Sequence, residues 1–210
     1  IFDNLIEEKD LSYSEASFLA ESIFKSNISN IQLSSILSLL HKKKESFNEI
    51  YAFTNYLKKK CKKINIKDKF MDTCGTGGDN KGSFNFSTAT SNLLSTFDIK
   101  ISKHGNRSVT SKSGSFDVLE SLGVNISSEL SHIKKNLKTN GICFLFAPNF
   151  HGSLKQVAEV RKSLPFKTIF NLLGPLLNPL KLHYQLLGVS NYDNLLTHAK
   201  CLSKMNLKKS

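Results

Sequence analysis

Residues 70–79, Phe70-Met71-Asp72-Thr73-Cys74-Gly75-Thr76-Gly77-Gly78-Asp79, carry the reading that decides the fold. Phe70 to Thr73 read as a short strand, which breaks into a glycine-rich loop. Glycines let backbone N–H groups approach and surround an anion, because no Cβ intervenes. The loop is not a Walker A loop, since no Gly-Lys-Ser/Thr follows. It is not the Rossmann fingerprint either, because the third glycine position holds Asn80. Taken alone, it could be an ordinary tight turn.

Outward from this loop the chain alternates between strand and helix patterns. A helix candidate starts near Ser87 and carries Ala89, Leu93 and Leu94. Ile99 and Ile101 mark a second strand. Residues 116–122 read as a helix ending at Gly123, and another helix spans about 128–141. Residues 142–147 form a continuous apolar run, as expected of a strand buried on both faces. Residues 184–189 are a further strand candidate. This alternation predicts an α/β domain with a mainly parallel sheet, whose ligands bind at the loops beyond the strand C-termini.

The first third reads instead as helices. Three capping signatures occur, Ser12 with Glu15, Ser29 with Gln32 and Ser46 with Glu49. Each precedes an apolar stripe, the clearest being Ile50, Phe53 and Leu57. No catalytic cluster stands out there.

Composition narrows the partners. The chain has 210 residues, 40% of them hydrophobic, so it can bury a core. Its formal charge of +12 favours anionic partners: nucleic acid, a membrane surface or phosphorylated metabolites. Much of the excess lies in Lys58-Lys59-Lys60-Cys61-Lys62-Lys63, which reads as a solvated helix end with a nucleic-acid patch as the alternative. Cys61, Cys74, Cys143 and Cys201 are far apart and form no CxxC pair, which argues against zinc or a disulfide framework and fits a reducing cytoplasm. No apolar stretch approaches the ~20 residues that a membrane-spanning helix needs.

Two more polar segments follow strands. Asn85-Phe86-Ser87-Thr88 opens a helix, where hydroxyls and free N–H groups make an anion site. Ser87 could equally be a simple N-cap. Lys103-His104-Gly105-Asn106-Arg107-Ser108-Val109-Thr110-Ser111 packs two fixed cations, an imidazole, an amide and three hydroxyls into one loop after a strand. Gly114-Ser115 then opens the next helix. Three such loops point to a substrate with several phosphates.

At these residues the sequence resembles the anthranilate phosphoribosyltransferase family. The resemblance rests on DTCGTGGD, NFST, KHGNRSVTSKSGSFDVLESLGV, FAPNFH, VRKSL and TIFNLLGPLLNP, in that order, with LSYSEA and KKKESFNEI in the helical opening. It implies a small helical domain, residues 1–66 with a later contribution around 159–180, and a larger α/β domain, residues 67–210. The fold it implies is of the nucleoside phosphorylase/phosphoribosyltransferase type, with substrates bound between the domains. It implies a cytoplasmic homodimer pairing through the helical domain, no membrane association, and a magnesium-assisted transfer in tryptophan biosynthesis. The phosphoribosyl group would pass from phosphoribosyl pyrophosphate to the anthranilate amine.

Roles carry over position by position. Gly75, Gly78, Asp79, Ser83, Asn85, Ser87, Thr88, Lys103, Asn106, Ser111 and Ser115 match the phosphoribosyl pyrophosphate contacts, with Ser87 as a magnesium ligand. Gly75, Asn106 and Arg161 match residues at anthranilate, and His104 and His151 match histidines lining its path. None is assigned as an acid or base. Two departures stand out. Lys44 replaces a common glycine, and the family's Asp-Glu pair, which binds a second magnesium further along, is not in this chain. The expectation is therefore a C-terminally truncated form. A nucleic-acid-binding relative of the same fold and an inactive remnant are the alternatives.

Overall fold

A computed structural model describes residues 1–77, 84–108 and 114–210. In chain order the helices are α1 (Phe2–Ile6), α2 (Tyr13–Phe24), α3 (Asn30–Lys43), α4 (Phe47–Lys60), α5 (Phe86–Ser95), α6 (Ser115–Ser121), α7 (Leu130–Asn140), α8 (Ala158–Ser163), α9 (Ile169–Leu173) and α10 (Asp193–Lys204). The strands are β1 (Phe70–Gly75), β2 (Ile101–Gly105), β3 (Ile142–Phe146) and β4 (Leu182–Gly188). The chain divides into a helical unit, Ile1–Cys61 with His151–Leu173, and an α/β unit, Lys62–Phe150 with Gly174–Ser210.

In the helical unit the expected caps set the starts of α2 and α3. The Ser12 hydroxyl accepts from the Glu15 amide at 3.3 Å, and the Glu15 carboxylate accepts from the Ser12 amide at 2.8 Å. Ser29 and Gln32 do the same for α3. At α4 only half of the box forms. Glu49 accepts from the Ser46 amide at 2.7 Å, while the buried Ser46 hydroxyl has no partner among the described residues. The reason is that Glu49 faces inward. Fully buried, it also takes the Leu11 amide at 3.0 Å and the Lys43 ammonium at 2.9 Å. A capping signature thus doubles as a buried ion pair joining α3, α4 and the segment before α2. Lys44, the position of the expected glycine, has φ 70° and ψ 136°, a left-handed conformation that glycine adopts more easily than lysine.

The apolar stripes do what their spacing predicts. Leu33, Ile36, Leu37 and Leu40 of α3 and Ile50, Phe53 and Leu57 of α4 are buried. Phe170, on the returning segment, meets the rings of Phe24 and Phe53 edge-on, each at 5.9 Å. The unit therefore closes only with residues far along the chain.

Among the described residues, the α/β unit holds a four-stranded parallel sheet in the order β3-β2-β1-β4. Helix α5 packs on β1 and β2, and α7 packs on β3. α6 ends at Gly123 (φ 76°), as its sequence position predicts. β3 departs from its reading as a strand buried on both faces. Phe144 and Phe146 are only half-buried, because β3 lies at one edge of the order. Between the two units the chain passes from residue 61 to residue 62. The Lys62 amide bonds Phe150 O at 3.0 Å, and the Ile64 amide bonds Pro179 O at 3.4 Å, both within the α/β unit.

Candidate functional site

In the α/β unit several of the polar residues picked out from sequence cluster where β1, β2 and the start of α5 meet. The sequence pattern puts Lys103 and His104 in a loop following a strand. They belong instead to β2 itself, with exposures of 1% and 5%. The Lys103 ammonium donates to Thr73 O at 2.7 Å and to the Ser87 hydroxyl at 3.4 Å. The Thr73 hydroxyl donates to Ser87 O at 2.7 Å, which fixes the α5 start against β1. Burial pulls the Lys103 pKa down, against the opposing pull of Asp72 and Cys74.

Ser87 is not the N-cap of α5. Asn85 is, its side-chain oxygen accepting from the Thr88 amide at 3.3 Å and the Thr88 hydroxyl at 2.8 Å. Cap duty falls to Asn85, so the Ser87 hydroxyl stands beside the Lys103 ammonium instead.

Gly75 ends β1 so close to β4 that an added Cβ would lie 3.3 Å from Gly188 O. The Thr76 amide bonds the same carbonyl at 3.0 Å. Gly78, Asp79, Ser83 and Ser111 lie outside the described residues.

Beyond β2, Asn106 is exposed, and Phe116 donates its amide to Asn106 O at 3.4 Å. The Asp117 carboxylate accepts from the Ser108 amide at 2.8 Å and the Gly114 amide at 2.7 Å. These two bonds hold Asp117 below the usual carboxylate range. A side chain at 114 would have no room: its Cβ would lie 2.4 Å from Ser108 N and 2.8 Å from Asn106 O. Ser115 is half-buried in the first turn of α6. Arg107, counted from sequence as the second fixed cation of this segment, pairs with Glu120 at 2.9 and 2.5 Å and covers the Phe146 ring.

Arg161 and His151 belong to the helical unit. Arg161, on α8, sets its guanidinium 5.3 Å from the centre of the Phe170 ring. Its Nε is buried with no hydrogen-bond partner among the described residues, and burial lowers its pKa. His151 is 3% exposed, with Nε2 4.0 Å from Cys61 Sγ.

Sequence reasoning missed a buried polar layer under β2. The Asn178 amide donates to Asp72 Oδ2 at 2.9 Å and to Ser102 O at 2.8 Å. It accepts from the Ser102 hydroxyl at 3.2 Å and the Leu180 amide at 3.0 Å. Burial pushes Asp72 up to about 6 against the Lys103 charge. The available signal was a carboxylate inside a strand pattern and an asparagine inside the apolar run LLNP. Among the described residues there is no cluster of three or more His, Cys, Asp or Glu placed to hold a metal. No described helix is long and apolar enough to cross a membrane.

Comparisons with known proteins show the family of both units. Residues 67–210 match the family described as glycosyl transferase family, a/b domain, and residues 1–61 match its helical bundle domain. A protein of Caldicellulosiruptor saccharolyticus named anthranilate phosphoribosyltransferase is 46% identical over 89% of this chain and 56% of its own length. One of the same name from Bacillus caldotenax is 42% identical over 87% of this chain and 76% of its own. The chain thus spans little more than half of the Caldicellulosiruptor relative. Among solved structures, anthranilate phosphoribosyltransferase from Thermus thermophilus superposes with a TM-score of 0.89 at 31% identity, over 98% of this chain and 63% of that one. The Saccharomyces cerevisiae enzyme in complex with PRPP and Mg gives 0.85 at 27% identity, over 98% and 61%.

Proposed function

The chain belongs to the anthranilate phosphoribosyltransferase branch of this glycosyl transferase family, and from that membership we propose that it transfers the phosphoribosyl group of phosphoribosyl pyrophosphate to the amine of anthranilate. The observation that carries the reading is Lys103. A buried ammonium whose hydrogen-bond partners among the described residues are a carbonyl and a hydroxyl is a cation prepared for an incoming anion.

Each described residue has a task in such a transfer. The ribose bond to pyrophosphate breaks with oxocarbenium character, so the protein's main work is to hold the leaving group and place the amine. Lys103 and the first turn of α5, capped by Asn85 and carrying Thr88, bind the pyrophosphate. The Ser87 hydroxyl offers an oxygen to magnesium, which takes few protein ligands when phosphates supply the rest. Magnesium, when bound, neutralises the charge growing on the leaving group. Arg161, with its Nε unpartnered among the described residues, grips the anthranilate carboxylate. Asn106, Ser115 and Gly75 take the substrate contacts that their motif positions imply, as does His104 in the same unit. Anthranilate's amine is an aniline, neutral at pH 7, so the reaction asks for no strong base.

The same family reading implies pairing of two copies through the helical unit. Phe18 (65% exposed) and Ile31 (81% exposed) give that unit apolar surface to cover.

The test is loss of anthranilate fluorescence on mixing the chain with phosphoribosyl pyrophosphate and magnesium. Magnesium-dependent loss is expected. A folded chain that binds neither substrate would refute the reading.

A further inference from the structure

We propose that Asp72 and Asn178 form a positioning pair that fixes Lys103 for the phosphate groups of the substrate, an inference that rests on the transferase reading above. The geometry brackets Lys103 from the opposite face of the sheet. Asn178 holds the residue before it, donating to Ser102 O and accepting from the Ser102 hydroxyl. Asp72 holds the residue after it, accepting from the His104 amide at 3.3 Å. The two clamps are joined by the 2.9 Å bond from Asn178 to Asp72.

Alternation along a strand gives the arrangement its effect. Side chains of Ser102 and His104 point to one face of β2 and that of Lys103 to the other. Gripping both neighbours on one face therefore sets where the ammonium emerges on the other, beside Ser87. The pair is well equipped for this. All four hydrogen-bonding positions of the Asn178 amide are used, and Asp72 and Asn178 are 0% and 2% exposed. A fully satisfied buried network rigidifies what it touches. In the same row, Asp72 sits in register with Gln185 of β4, and Ser102 with Cys143 of β3. Neither Asp72 nor Asn178 needs to contact substrate to act this way.

The experiment is calorimetric titration of the full chain with pyrophosphate in the presence of magnesium. Asn178→Ala is expected to weaken binding tenfold or more with unchanged stoichiometry, since the ammonium is displaced in every molecule. A purely structural role would lower the number of competent sites and leave Kd alone. Asp72→Asn, which turns one of the two accepting oxygens into a donor facing the His104 or Asn178 donor, is expected to weaken binding in the same way. Ser102→Ala, which deletes one bond to Asn178, provides a milder case if Asn178→Ala does not fold, with an expected weakening of about threefold. Unchanged Kd in folded variants overturns the proposal while leaving the transferase reading in place. No binding by the unaltered chain overturns both.

Discussion

Replacing Lys103 with methionine should weaken anion binding without weakening the fold. Methionine keeps much of the aliphatic stem and removes the ammonium. Among the described residues the ammonium has two neutral hydrogen-bond partners, and it is 1% exposed. Desolvating such an ion costs several kcal/mol, against roughly 1.5–3 kcal/mol for a hydrogen bond to a charged group. Asp72 loses a compensating cation, which trims the gain. The balance is a variant between neutral and about 2 kcal/mol more stable, or roughly 0–8 °C in melting midpoint for a chain of this size. Pyrophosphate affinity should fall about 10–150-fold, the same charge-assisted bond expressed as a ratio. Circular dichroism melts and magnesium-pyrophosphate titration read the two effects separately. A clear drop in midpoint would show that the protein itself satisfies the charge, and the argument for a waiting cation would fail.

Other perturbations follow from the same geometry. Arg161→Ala should raise the KM for anthranilate by about 10–100-fold, while that for phosphoribosyl pyrophosphate moves little; steady-state kinetics with equal effects on both would reject its assignment. Gly114→Ala would set a Cβ 2.4 Å from Ser108 N and 2.7 Å from Arg107 C, both backbone atoms, so the turn must open and pyrophosphate affinity should drop. Wild-type affinity in that variant would contradict the described turn. Burial pushes Glu45 from 4.5 to about 7, so its protonated form is favoured in the fold. As pH rises from 4.5 towards 7 the unfolded chain ionises first and stability falls, with Asp72 acting in the same sense from 3.8 to about 6. Glu45→Gln should flatten part of that slope; parallel melting midpoints against pH for both proteins would exclude the effect.

Local chemistry was legible in the sequence where a few residues decide it. The capping boxes at Ser12 and Ser29 and the left-handed end at Gly123 need only their immediate neighbours. The polar segments around Ser87 and Lys103 also announced themselves by composition. What stayed hidden depends on contacts distant in sequence. The bond between Asp72 and Asn178 spans 106 positions, and nothing local to either residue names the other. Asn85 and Ser87 both suit an N-cap, and only the pull of Lys103 and Thr73 on Ser87 decides between them. Glu49 fits a solvent-facing capping box, yet Lys43 draws it inside. Lys103 reads as an exposed loop cation because its strand is short and its burial comes from packing.

The returning segment His151–Leu173 has a consequence for how the protein is made. Phe170 closes the ring cluster begun by Phe24 and Phe53, so α2 and α4 leave the ribosome well before the aromatic group that seals them. During that interval Lys62–Phe150, the intervening part of the α/β unit, is being synthesised. The helices must wait with apolar rings unsealed, in the state most prone to off-pathway association and most in need of chaperone cover. High sequence separation between partners also slows folding once the chain is free. Slower translation across 62–150 should therefore lengthen the vulnerable period, and the yield of native protein should respond to codon choice there more than within 1–61.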